Sequence, residues 1–335
     1  MTTARSKAKP EKPVLPRPAP ELYEAARALA RGAPLPAQRG ALRLGTAGWG
    51  DASLSRDALF YPKQVKTPEA RLRHYAEHFP LVEVDATYYA LLASETVARW
   101  VAWTPPTFRF DVKAHPIFTG HPIDIRRLPA DLAAAVPLRD NQSRTYSNEL
   151  PAELAREIER RYFDSLSPLV EAGRLTSILL QFPPWFEATR GSVRQLESLR
   201  ARFPNAPFSV EFRHRSWLLP ERRERVADVL RAQQFAYVVV DEPDVLRGGV
   251  PPIPLVTSGR LAIVRFHGQN QQAWSNPRAT VAERFNYLYG PDELARWTTP
   301  VRQLLNEAEE VHAVFNNCVQ NYAILNAKGL AALLG

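Results

Sequence analysis

TSILLQFPPWFEATRGSVRQLESLRARFPNAPFSVEFR (176–213) decides the fold. An apolar run, TSILLQFP (176–183), is followed by a helix-like stretch at 191–203 and a second apolar run, PFSVEFR (207–213), that ends in charge. Near-continuous apolar runs of this length read as strands buried on both faces, as in a parallel sheet covered by helices. Working outward, the same rhythm recurs in ALRLGTAGW (41–49), LVEVDATYY (81–89), FRFDVKA (108–114), FAYVVVDEP (235–243), LAIVRFHG (261–268) and EVHAVFNN (310–317). Eight strands alternating with helices are the arithmetic of an α/β fold, a (β/α)8 TIM-type barrel formed as one domain. In such a barrel the carboxyl ends of the strands and the loops after them build the site.

The helices carry their own start signals. TPEARLRHYAEHF (67–79) has Thr67 as N-cap, Pro68 at the first helical position and Leu72, Tyr75, Ala76 and Phe79 on one face. SETVARWVAW (94–103) reads the same way with Ser94 as cap, and further helices are expected at 151–172, 219–233, 291–309 and 320–334. Segment 115–150 has no strand candidate and carries the polar run DNQSRTYSNE (140–149), so it reads as a long loop of the lid, binding or disordered kind.

Residues 1–40 form a Pro- and basic-rich tail ahead of the barrel at 41–334. Five prolines in the first twenty residues argue for disorder there, and ELYEAARALARG (21–32) for one short helix, either laid on the barrel or floating free. The tail holds eight Lys/Arg against three Glu, so +5 of the chain's net +8 lies in it and the other 295 residues are nearly neutral. That distribution weakens a nucleic-acid reading of the barrel while leaving one for the tail. The single cysteine, Cys318, excludes an intramolecular disulfide and thiolate-rich metal sites. With neither a membrane-length apolar run nor the apolar core of a signal peptide, a soluble cytoplasmic protein without a membrane partner is expected.

Alternation puts every second side chain of a strand on one face. Glu83 and Asp85 share a face, as do Asp111 and Lys113, Glu211 and Arg213, and Arg265 and His267; Gln181, Asp241, Asn316 and Asn317 close their own strands. Charge pointed into the helix layer would be costly, so these groups should converge in the barrel mouth. An ion pair such as Glu211 with Lys113 would be the purely structural use of them. Trp49, Trp185, Trp217 and Trp274 follow strands one, four, five and seven and are expected to wall the mouth, whereas Trp100, Trp103 and Trp297 sit in helix patterns and belong to the core. The loops HGQNQQAWSN (267–276) and NNCVQNYAILNA (316–327) occupy the usual phosphate position of barrels, the second opening a helix. Glu83, Glu211, Asp241 and His267 are hard ligands of the kind that hold divalent ions, but they stand on separate strands without a paired motif, so a divalent metal is possible without being favoured and the cofactor is unknown. No GxSxG, Walker A or GxGxxG sequence occurs.

GTAGW (45–49), LRHYAEHFPLVEVDATYY (72–89), TPPTFRFDVKA (104–114), LLQFPPWF (179–186), SVEFRHRSW (209–217), VRFHGQN (264–270) and FNN (315–317), in this order, resemble the YecE-like family, domain of unknown function 72. The resemblance spans roughly 41–334 and implies a TIM-barrel, with no established reaction. The chain departs from the family's Thr-His pair after strand three, where it has Thr119-Gly120-His121, and in the long 122–150 stretch.

Three functions compete. The first is an enzyme working by acid–base and electrostatic catalysis, of a hydrolase or isomerase kind, on a small polar phosphate- or sugar-containing ligand. Glu211 would carry the proton with His267 or His121 as second group; Glu83 and Asp85 would complete the acidic set, and Lys113, Arg213 and Arg265 would hold the anion. The second is a nucleic-acid-binding protein or phosphodiesterase, using the tail for phosphates and the tryptophans for a base. The third is a non-catalytic metabolite binder.

Overall fold

Eight parallel strands close on themselves in the computed structural model, which describes residues 15–137, 142–244 and 249–335. They are β1 Leu42–Ala47, β2 Leu81–Val84, β3 Arg109–Lys113, β4 Leu175–Gln181, β5 Phe208–Glu211, β6 Ala236–Asp241, β7 Leu261–Phe266 and β8 Glu310–Phe315. Every run expected to be a strand is one. Each pairs in parallel with the next, and β8 returns to β1 with Val314 beside Gly45, which closes the barrel. Gly45 is required there: a Cβ would stand 2.3 Å from the Leu81 carbonyl oxygen.

Outside the strands run the helices α1 Pro20–Ala30, α2 Pro68–His78, α3 Ser94–Trp103, α4 Ala152–Glu171, α5 Arg190–Arg202, α6 Arg223–Ala232, α7 Thr298–Glu307 and α8 Tyr322–Leu333, with shorter turns between them. Thr67 caps α2 by accepting from the Ala70 amide. Ser94 does not cap α3; it is already the first helical residue and Ala93 holds the cap position without a side-chain bond. The expected single helix 291–309 is two, Pro291–Arg296 and α7, broken at Trp297. Apolar stripes from these helices, such as Leu72 and Tyr75, Leu166 and Leu169, Leu196 and Leu199, or Val301 and Leu304, are buried against the outward faces of the strands. Each such side chain contributes about 1.5–3 kcal/mol by leaving water.

α8 is apolar on all sides, so its outer face needs a cover. That cover is α1, whose Ala26 and Ala30 pack with Tyr322 and Leu325, while Tyr23 donates to Asn321 at 3.2 Å. The helix expected at 21–32 is therefore laid on the barrel. The disorder expected in the first twenty residues falls mostly on 1–14, outside the described residues.

The 115–150 excursion is more folded than a loop. Ile123–Asp124 and Arg144–Thr145 form a two-residue antiparallel ladder, and Phe118 packs edge-on against Tyr162 at 5.1 Å. Its apolar residues Ile117, Ile125, Leu128 and Leu132 supply the burial that the sequence reading had not credited to it. No helix among the described residues is long and apolar enough to cross a membrane.

Candidate functional site

The strand alternation that buries apolar groups against the helices turns charge into the barrel axis. At the centre lies Arg265 of β7, fully buried. It donates to Glu83 of β2 at 2.5 Å, to Glu211 of β5, and at 3.4 Å to the Gln181 side-chain oxygen at the end of β4. One step toward the mouth, Arg213 uses three nitrogens: Nε donates to Glu211, one terminal nitrogen to Glu242, and the other to His267 Nε2 at 2.9 Å. A guanidinium can only donate, so His267 Nε2 accepts and the imidazole proton sits on Nδ1. Nδ1 lies 3.0 Å from the Asn316 side-chain amide, which can turn its oxygen to accept.

This wiring assigns the charges. Burial raises the Glu211 carboxyl, but Arg213 and Arg265 together hold it well below the usual carboxylate range. Burial pushes Glu83 up to about 7 against the pull of Arg265, and Glu242 up to about 7 against that of Arg213. Asp241 rises to about 6 by burial, opposed by its hydrogen bonds to Tyr289 and Gln269. His267 falls to about 3, through burial and then Arg213, and is a neutral ring at physiological pH.

The solvent-facing rim is separate from that core. Lys113, 14% exposed in its side chain, stands 3.7 Å from Asp85 and 4.7 Å over the Tyr88 ring. Asp85 Oδ1 has no hydrogen-bond partner among the described residues. His121 accepts from or donates to Thr119 at 2.9 Å and packs edge-on against Tyr88 and Trp185. Burial lowers His121 to about 4, helped by the charges of Lys113 and Arg213, so both cations act on this one ring. Trp185 is 62% exposed, and Trp274 lies under the Arg213 guanidinium at 5.5 Å. Gln269 donates to Asp241 at 2.6 Å.

Most of the expected residues thus come together, with changes of role. Glu211 does not fit a proton carrier, because two arginines keep it ionised and it has no access to solvent. His267 is equally sealed and serves to hold Arg213. Lys113 pairs with Asp85 rather than Glu211. Trp217 is not in the wall: it is fully buried, stacked 4.1 Å from Phe212, and donates to the Phe186 carbonyl at 2.7 Å. Asn317 is buried and spends its amide on the Tyr287 carbonyl and Asn326, so it ties the end of β8 to α8. Trp49 packs edge-on against Trp100 at 5.4 Å and remains half-buried beyond the cup. The phosphate position in the last two loops is weak, since Asn321 is engaged by Tyr23 and Asp51 lines the adjoining cavity.

Two groups were missed. Glu242 holds Arg213 and also accepts from the Val250 amide at 3.1 Å, which anchors the loop after β6. Deeper in the barrel, His312 of β8 lies 2.8 Å from Asp111 and 3.3 Å from Glu310, which Arg43 also holds. Burial opposes a charge on His312, but the two carboxylates outweigh it and raise the ring to about 9. An unfolded histidine titrates near 6.5. The stabilisation is therefore complete below about 6.5 and lost as pH rises through about 9, on the order of 3 kcal/mol. Raised Glu83 and Glu242 change stability lower, between about 4.5 and 7, so alkaline pH isolates His312. The urea-midpoint difference between the wild type and His312→Gln should shrink from pH 7 to pH 9.5; parallel curves would contradict a charged His312.

Among the described residues no group of three or more His, Cys, Asp or Glu stands together as a metal nest. Fold and mouth together define a (β/α)8 barrel with a buried ionic core beneath an aromatic, cationic rim. Residues 43–335 match the family described as protein of unknown function DUF72, and the chain belongs to that family. It is 31% identical over 294 residues to the UPF0759 protein YunF of Bacillus subtilis (strain 168), covering 87% of this chain and 94% of that protein. A DUF72 protein of Enterococcus faecalis V583 superposes with a TM-score of 0.70 at 30% identity, covering 88% of this chain and 95% of that one. For a DUF72 protein of Thermotoga maritima MSB8 the TM-score is 0.67 at 29% identity, with 86% and 97% covered.

Proposed function

We propose that the mouth is the active site of an enzyme acting by acid–base and electrostatic catalysis on an anionic ligand that carries a phosphate or sugar hydroxyls. The observation that carries this reading is the rim cluster in which Lys113 lies over the Tyr88 ring, and the half-buried His121 packs edge-on against both Tyr88 and the exposed Trp185. Lys113 and Arg213 bind the anion as charge-assisted donors, and neutral His121 adds a hydrogen bond. Asp85, with an unpartnered oxygen 3.7 Å from Lys113, is the proton acceptor next to that anion. Negative charge developing on the ligand falls under the two cations, while Glu211 and Glu242 keep Arg213 aimed. Gln181, Gln269 and Asn316 read hydroxyls.

The exposure of Trp185 favours a second reading, a nucleic acid whose base stacks on that ring while the basic tail takes phosphates. Tryptophan fluorescence of the full chain separates the two, titrated with inorganic phosphate, a sugar phosphate, a nucleoside monophosphate and a short single-stranded oligonucleotide at two salt concentrations. Saturable quenching by a small phosphate ester supports the small-ligand site that the enzyme reading requires, and release of product from that ester on incubation separates an enzyme from a binder. A response to the oligonucleotide alone, collapsing with salt, supports the second reading. No response to any of them overturns both.

A further inference from the structure

On the outer wall of the barrel, at the end where the connections after β4 and β5 enter their helices, α5 and α6 border an open groove of about 570 Å³. Its floor is apolar: Val193 and Val226 with Val229, over the buried Trp217 ring. Its rims are cationic. Arg190 and Arg194 stand one turn apart on α5, and Arg222 and Arg225 stand likewise at the start of α6. Glu197 is the one acidic residue lining it.

Three arginines on neighbouring helical surface are paired with carboxylates: Arg160 with Glu157 and Asp164, Arg161 with Asp131 and Glu157, Arg231 with Glu224 and Asp228. Glu224 lies on α6 yet turns to Arg231 instead of the groove. Of the four rim residues, only Arg222 has a partner among the described residues, the Ala188 carbonyl at 3.5 Å. The groove therefore joins uncompensated positive charge to a partly open aliphatic floor, with Val193 and Val229 half-buried and Val226 buried beneath them. A phosphodiester chain would satisfy the charge and leave the valines wet; an uncharged apolar segment would bury the valines and strand the arginines. Carboxylates three or four residues apart on a helix face repeat at the one-turn spacing of both rims, with an apolar stripe between them.

We propose that the groove between α5 and α6 docks an acidic amphipathic helix of a partner protein, its carboxylates on the four arginines and its aliphatic stripe on the three valines. None of Lys113, Asp85, His121 and Arg213 lines the groove. The test is fluorescence anisotropy on the full chain with a labelled synthetic helix bearing Glu on both flanks of a Leu/Val stripe. A scrambled peptide of the same composition and an oligonucleotide of the same charge serve as comparisons. The wild type is expected to bind the amphipathic peptide saturably and at least about tenfold more tightly than either comparison. R194E/R225E should lose about tenfold or more in affinity and come to prefer a Lys-flanked version of the peptide, with an unchanged thermal midpoint because both side chains are exposed. R190Q/R194Q, a milder pair, should lose part of the affinity. Equal binding of the scrambled peptide, tighter binding of the oligonucleotide, or unchanged affinity in both arginine variants overturns the proposal.

Discussion

Arg265→Met is expected to cost the fold about 3–5 kcal/mol, the loss typical of breaking a buried ion pair from one side. The guanidinium has no solvent access, and both of its charged partners, Glu83 and Glu211, are equally sealed. Glu211 would keep Arg213, but Glu83 would keep no partner in contact, and its carboxyl already sits at about 7. The variant escapes by protonating Glu83, so its deficit should grow as pH rises above about 7 and shrink in mild acid. Glu83→Gln in the Arg265→Met background removes the stranded charge and should recover a large part of the loss. Urea denaturation of the two variants at pH 6 and pH 8.5 reads this directly. A deficit under about 1 kcal/mol, or no rescue by Glu83→Gln, would mean that the axis is not held by charge.

That axis was legible in the sequence because strand alternation is a strict rule: Glu83, Glu211 and Arg265 had to share the interior once their strands were recognised. The rule ends where a strand ends. Asp241, the last residue of β6, lies beside the outward Phe266 of β7 and bonds to Tyr289 and Gln269. Glu242, one residue past the strand, turns inward to Arg213 and escapes a strand pattern that stops at Asp241. Arg43 and Glu310 meet because β1 and β8 are neighbours in register, which no local pattern reveals. His312 did carry a signal, since Glu310 and His312 fall on alternate positions of β8 and Asn316 continues that face one residue past it. The tryptophans failed differently. Trp217 and Trp185 both follow strands in polar-looking connections, yet Phe182, Phe186 and Phe212 build a stack that draws Trp217 inside and leaves Trp185 out. Loop aromatics are placed by such neighbours rather than by their own sequence position.

At the rim the cations differ in what they hold up, and that difference makes the proposed ligand site testable apart from the fold. Among the described residues the Lys113 ammonium meets only Asp85 and the Tyr88 ring, so Lys113→Met should leave the barrel folded. It should weaken binding of an anionic ligand about tenfold to a hundredfold, the worth of one charge-assisted hydrogen bond. Arg213→Met should weaken binding as well but also destabilise the protein, because Glu211 and Glu242 lose a partner together. His121 supplies the discriminating feature. Its protonation is suppressed by burial and by the charges of Lys113 and Arg213, to about 4. Without Lys113 the ring should charge at a higher pH, moving toward the ordinary histidine range, and offer the anion a replacement cation. A sulfated sugar is the right probe, since its own charge is constant across this range. Wild-type affinity for it should vary little between pH 5 and 8, whereas Lys113→Met should regain affinity as the pH falls toward 5. If Lys113→Met binds as tightly as the wild type at neutral pH, the anion does not sit between Lys113, His121 and Arg213. If its affinity is lost without any acid recovery, His121 lies outside the ligand's reach and Lys113 and Arg213 alone hold the charge.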